Sequence, residues 1–413
     1  MAISPLRLAL CGVSLGVLLG AADWPQFRGP GGQGVAQAKG LPTTWSETEN
    51  LTWKTKMPGA GASSPIVIGK RVIVTCYSGY GADKRNPGNM QQLRLHVLSV
   101  DRAGGEIVWD TEIEPTLPES PKVRDHGYAG PTPASDGKHI YVFFGKSGVI
   151  KLDLAGKVLW RTKVGSKLHS WGCGTSPVLY KNLVIVNAAV ESRSLVALDK
   201  QSGKEIWRAG GMNSSWNTPH LVSLPNGKQE LVVAVKDRLL AFDPQTGKAL
   251  WNCEGIHDYV CPSIVSDKGV VYAIGGRKSQ AVAVKAGGRG DVNGSHALWR
   301  ASVGANVSSP VVTGGHLYWM SDRNQTAYCL DIKDGRVVYA QKASQPYASM
   351  VAADGKLFVP LRRGGTMVLA AKPEYEVLAK NRFEDRSIFD GSPAVADGQL
   401  FLRSDRFLYC IAK

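Results

Sequence analysis

The chain has 413 residues, 47 of them glycine, 20% of them charged, and a formal charge of +15. That length exceeds what one simple core supports and points to a repeat array or a barrel. The positive residues are scattered with no basic block, which argues against nucleic acid and leaves acidic glycans, anionic surfaces or small anions as what such a charge would attract.

Residues 1–22 read as a secretory leader. Arg7 supplies a basic start, Leu8 to Leu19 an apolar run too short to span a bilayer, and Gly20-Ala21-Ala22 the small residues before a cut. Cys11 follows Leu10, where a lipid-attachment signal needs a small residue, so no lipid anchor is expected. The expectation is a periplasmic or secreted monomer with no transmembrane segment in the mature chain. Residues 23–49 carry DWPQFRGPGGQG and LPTTW, rich in Pro and Gly, and read as an extended arm laid across the fold. Residues 50–413 read as one repeat domain. It opens on NLTWKTKM (50–57), a strand with no hairpin before it, and stops at LYCIAK with no final strand after it. The opening strand is therefore expected to complete the last unit.

Between those ends a hairpin recurs. In SLVALDKQSGKEIW (194–207), Asp199 opens a turn and can accept backbone N–H groups across it, Gly203 takes φ > 0, and a short strand ends on Trp207. LSVDRAGGEIVW (98–109), VIKLDLAGKVLW (149–160), AFDPQTGKALW (241–251) and YCLDIKDGRVVY (328–339) repeat it. Trp53, Trp109, Trp160, Trp207, Trp251 and Trp299 are expected to dock between neighbouring units. A second phrase, a small polar residue before Pro and a strand, marks where units begin: Ser64, Thr132, Ser176, Thr218, Cys261, Ser309 and Ser392, with Ser349 in the same place before Met350. Four strands per unit of about 40–48 residues predict an all-β, eight-bladed propeller with four-stranded blades, its ring closed by the N-terminal strand. The first unit is longer because 79–92 and 115–128 are inserted loops. Six cysteines follow the leader with no CxxC or adjacent pair, and Cys253 with Cys261 could be bridged or free.

ALDKQSGKEIW (197–207) and AFDPQTGKALW (241–251) resemble the tryptophan-docking phrase of the PQQ-like (pyrroloquinoline-quinone-like) repeat family, the quinoprotein alcohol dehydrogenase-like propellers. The resemblance covers the whole chain after the leader, and DWPQFRGP (23–30) resembles the opening of exported members from planctomycetes. It implies the fold and leaves function open, since the same propeller serves quinone-dependent dehydrogenases and a non-catalytic barrel-assembly lipoprotein. A dehydrogenase of the family would need an adjacent Cys-Cys pair, a stacking Trp, and Glu, Asn and Asp ligands for calcium. The Cys-Cys pair is missing here. No catalytic residue, metal or cofactor is therefore expected, with PQQ and calcium as the alternative.

In a blade whose strands alternate in direction, the loop leading into strand one and the turn between strands two and three share a face. The loops offer His126, His169, Trp171, Trp216, His257, Asp258 and Tyr259. The turns offer Lys146, Lys236, Arg277, Arg323, Arg362 and Arg406. Singly these are ordinary solvated turn residues. Repeated round a ring they form a candidate basic, aromatic-lined funnel. The expectation is an exported, non-catalytic binding or scaffold propeller for a protein, glycan or small anionic ligand. The alternatives are a PQQ-dependent oxidoreductase acting on an alcohol or sugar, and an outer-membrane protein assembly factor. No Ser-His-Asp arrangement, HExxH or phosphate loop is present.

Overall fold

The computed structural model describes residues 23–83 and 85–413, so the leader expected at 1–22 lies outside the described residues. The second strand of each unit is mostly apolar and mostly buried on both faces; Leu183–Ala188 (LVIVNA) is buried at every position. A strand covered on one face alternates, whereas these are covered on both because the sheets stack face to face. Eight such sheets follow one another. Blade 1 pairs Ile66–Ile68, Arg71–Ser78, Arg94–Asp101 and Ile107–Ile113 in sequence order. Blades 2 to 7 follow at 134–162, 178–210, 220–254, 265–301, 311–342 and 351–381. Blade 8 takes three strands from 394–411 and its fourth, Leu51–Lys56, from the other end of the chain, in a register running from Leu51 opposite Ile411 to Lys56 opposite Phe407. The ring is closed as the orphan strand implied.

The hairpins explain how the blades lock together. The Asp199 carboxylate accepts the amides of Gln201 and Ser202, and Gly203 has φ 71°. The outer strand slips by one residue opposite Ala197 and Leu198, so that Ile206 bulges outward and Trp207 turns toward the next blade. The Trp207 Nε1 donates to Pro244 O in blade 4. Trp53 reaches Arg102 O, Trp109 reaches Leu154 O, Trp160 reaches Lys200 O and Trp299 reaches Ile332 O in the same way, each one blade ahead. In three blades a threonine two residues further on adds a bond to the same neighbouring turn: Thr55 to Gly105 O, Thr111 to Gly156 O and Thr162 to Gly203 O.

Trp251 departs from the rule. Its Nε1 donates to Glu230 Oε2 of its own blade at 2.6 Å, and Glu230 also accepts Gly287 N and Arg289. The cause is the expanded turn of blade 5, whose Gly290–Asp291 segment pairs with Trp251 and Asn252 as a fifth strand and covers the docking position.

The arm is more than a strap. Trp24 pairs with Val67 of blade 1, Pro25 O accepts Ser135 N of blade 2, Gln33 bonds Ser266 of blade 5, and Val35–Ala36 lies parallel to Ala352–Ala353 of blade 7. It thus crosses the face of the ring that carries the turns between strands one and two. Arg28 is buried there, donating to Gln33 O and Pro310 O, and burial lowers its pKa to about 9. The six cysteines among the described residues are free, Cys253 and Cys261 included.

Candidate functional site

The opening residues of the innermost strands build the channel. Ser64 N donates to Thr132 Oγ1, Thr132 N to Ser176 Oγ, Ser176 N to Thr218 Oγ1, and Thr218 N to Ser263 Oγ. Ser263 N continues to Ser309, Ser309 N to Ser349, Ser349 N to Ser392, and Ser392 N returns to Ser64, every bond 2.9–3.1 Å long. A closed circuit of hydroxyls therefore rings the axis. Blade 5 corrects the sequence reading: its member is Ser263, not Cys261, and Ile264 stands where the other units mostly carry Pro. Each hydroxyl accepts one amide, and among the described residues none donates its own proton to the protein.

Above the ring lies a cavity of about 420 Å³, reached by seven of the eight hydroxyls. Residues alternate sides along an extended chain. The residue two before each ring hydroxyl accordingly lines it: Ala62, Gly130, Gly174, Trp216, Cys261, Val307, Tyr347 and Asp390. That spacing could have found Tyr347 and Asp390, which the reading of loops and turns missed.

Two walls face each other. From blades 3 to 5 come Trp171, Trp216 and Tyr259, with ring centroids 4.9 Å apart for the tryptophans and 4.7 Å for Trp171 with Tyr259. His169 backs them at 5.0 Å from Trp216, and burial lowers its pKa, favouring neutral imidazole. Trp216 is fixed by Nε1 on Gly172 O, Tyr259 by Asn306, and the Arg277 guanidinium lies 5.0 Å from the Tyr259 ring centre. The other wall centres on Arg362, whose guanidinium bonds Asp125 at 2.6 Å and Asp390 at 3.0 Å and stacks 4.7 Å over Tyr347. Burial works against the Arg362 charge, but the two aspartates outweigh it and hold its pKa above the ordinary value. His126 meets the Tyr347 hydroxyl at 3.3 Å. Because Asp125 and His126 come from the inserted loop before blade 2, this clasp ties blade 7 and the loop into blade 8 to the far side of blade 1.

The expected cations are not all brought together. Arg277 and Arg362 line the cavity, as do His126, Trp171, Trp216 and Tyr259. Lys146 instead bonds Pro118 O beside a side crevice, and Lys236 and Arg323 point to solvent. Arg406 is drawn to Asp385 O and over Phe407. His257 sits between Asp237 and Glu254 on the rim, while Asp258 accepts Tyr259 N beside it and Arg277 N from the neighbouring turn of blade 5. Arg124, Arg277 and Arg362 are matched by Asp125, Asp322 and Asp390, so the lining carries no net formal charge. The basic funnel is corrected to a balanced one: the turn cations splay outward to water or find carboxylates.

These residues do not make a quinone–calcium site. Calcium needs several converging oxygens, yet Asp125 and Asp390 hold Arg362 and Asp322 caps the amides of Asn306 and Val307. No group of three or more His, Cys, Asp or Glu able to hold a metal occurs among the described residues. Trp171 and Trp216 are tilted at 49° and leave no parallel-walled slot between them.

Fold and mouth together define an eight-bladed propeller with a charge-balanced, aromatic-walled cup at one end of its channel. A family model described as outer membrane protein assembly factor BamB matches residues 94–341, and the chain belongs to that family of PQQ-like propellers. The solved structure of BamB from Moraxella catarrhalis is similar over 87% of this chain and 99% of that one, at 12% identity and a TM-score of 0.59. The quinohemoprotein alcohol dehydrogenase from Comamonas testosteroni matches over 95% and 81%, at 11% identity and a TM-score of 0.68. The computationally designed Ika8 protein matches over 87% and 98%, at 11% identity and 0.59. At such identities the likeness is one of fold. No curated protein matches the chain in sequence.

Proposed function

We propose that this is an exported, non-catalytic binding propeller whose mouth holds a neutral, polyhydroxylated ligand, a saccharide. The observation that carries the reading is the pair of facing walls: tilted Trp and Tyr rings on one side, and an Arg clasped by two Asp on the other, over a ring of hydroxyls with protons to donate. A pyranose has apolar C–H faces that suit aromatic rings. Its hydroxyls both donate and accept, which suits Asp, Arg and Ser side by side. A net-neutral lining gives an anion no advantage over a neutral sugar. Export rests on the leader read in the sequence.

Titration of the purified protein with mono- and oligosaccharides, followed by tryptophan fluorescence and calorimetry, tests this. Binding is expected, and Trp216→Ala should weaken it by about tenfold or more with the fold intact. No saccharide binding would overturn it. Quinone absorbance and dye reduction with PQQ and calcium would favour the oxidoreductase, and co-purification with outer-membrane proteins the assembly factor.

A further inference from the structure

A second cavity, of about 400 Å³, opens on the opposite face between the arm and blades 3 to 5. The two cavities are neighbours along the axis, and Phe27 and Ser263 border both. Ser263 belongs to the hydroxyl ring, so what divides the channel is the Phe27 side chain, presented at the tip of a turn closed by Gly29 N on Gln26 O. That turn is pinned on both sides. Trp24 exchanges two 2.9 Å backbone bonds with Val67 before it, and Arg28 and Gln33 tie it to Pro310 and Ser266 after it. His220, buried beneath the arm and bonded to Ser266, is kept neutral by burial and then by Arg28, with a pKa of about 4. The floor is therefore held from blades 1, 5 and 6 at once, and nothing in its attachment resembles a hinge.

We infer that the mouth is a blind cup that takes the free end of a saccharide chain, with Phe27 as the residue that sets how many units enter. This rests on the saccharide reading above. A through-channel would let a polymer thread and would treat internal and terminal units alike. A cup floored by a phenyl ring at the level of the hydroxyl ring admits only an end, whose last unit meets the ring hydroxyls while later units pass between the Trp171 and Arg362 walls to solvent. Phe27 also gives the terminal unit an apolar surface to rest on.

The test is calorimetry with linear oligosaccharides of increasing length and with a macrocycle of the same units, which has no end. Affinity for the linear series should rise and then level off once the cup is filled, and the macrocycle should bind at least about tenfold more weakly. In Phe27→Ala, which joins the two cavities, the levelling-off should move to longer chains, whereas Phe27→Leu should keep the wild-type profile. A macrocycle that binds as well as the linear chains overturns the cup, as does a Phe27→Ala profile unchanged in a variant that melts normally. Should Phe27→Ala fail to fold, the macrocycle comparison on the wild type decides. If no saccharide binds the wild type, the saccharide reading itself falls and this inference with it.

Discussion

Gly247 shows how tightly a single residue is constrained by the blade beside it. At φ +72° it lies in the left-handed region, and a Cβ there would stand 2.5 Å from the Trp207 ring. The turn glycine thus serves two ends, the local turn and the seat for the neighbour's indole. Gly203 is placed likewise against Trp160. Trp207 is 8% exposed and its loss would leave an unfilled space between blades 3 and 4. Trp207→Ala should destabilise by about 3–5 kcal/mol, and Gly247→Ala by about 1–2 kcal/mol from the backbone alone. Urea unfolding measures both, and an unaltered midpoint for either would contradict the docking. Trp251→Ala should in addition strand the buried Glu230 carboxylate without its indole partner, a loss specific to blade 4.

At the scale of elements, the closing strand and the outer bulges matter most. Lys54 in the closing strand pairs with Glu47 of the arm and with Asp385 at 2.7 Å, beside the loop into blade 8. Burial alone would raise the Asp385 pKa, but hydrogen bonds from Lys54, Tyr409 and Ser387 outweigh it and hold the pKa at about 2. A depressed carboxylate stabilises the fold above its unfolded value of about 3.9, and that contribution is lost as pH falls toward the folded value. Asp385→Asn should therefore flatten the pH dependence of the melting temperature between about pH 4 and pH 2, while wild type declines. An identical decline in both would place the acid sensitivity elsewhere. The bulges account for exposed aliphatics that would otherwise look like a docking face. Val108, Leu159, Ile206, Leu298 and Leu378 are each the slipped residue before the docking position of their strand. They are the outward half of the device that turns the next side chain inward.

For the whole molecule, the overall charge and the mouth tell different stories. The chain is strongly basic, but the cavity lining is balanced. Steering of acidic partners to the outer surface and binding in the cup should therefore respond differently to ionic strength. Saccharide affinity should change little, less than about threefold, between low salt and a concentration at which exposed charges are screened. A steep salt dependence at the mouth would restore the basic funnel.

The fold was readable because its determinants are local and repeated. Asp199 and Gly203 specify a turn through bonds to residues two or three positions away, the repeat count follows from copies of that turn, and the unpaired strand at Trp53 needs a partner that only the unfinished last unit can supply. The candidate site was readable in part, since the loops named from alternating strand direction bring His126, Trp171, Trp216 and Tyr259 to the lining of one cavity. Tertiary structure alone decided the rest. Arg362 is claimed by Asp125 from 237 residues away, and no spacing encodes that pair. Lys146 and Arg406 follow backbone carbonyls out of the channel, and Phe27 reaches the axis because the arm is pinned to five separate blades. Side-chain direction in a loop depends on what lies across the ring, a distance that a linear pattern does not carry.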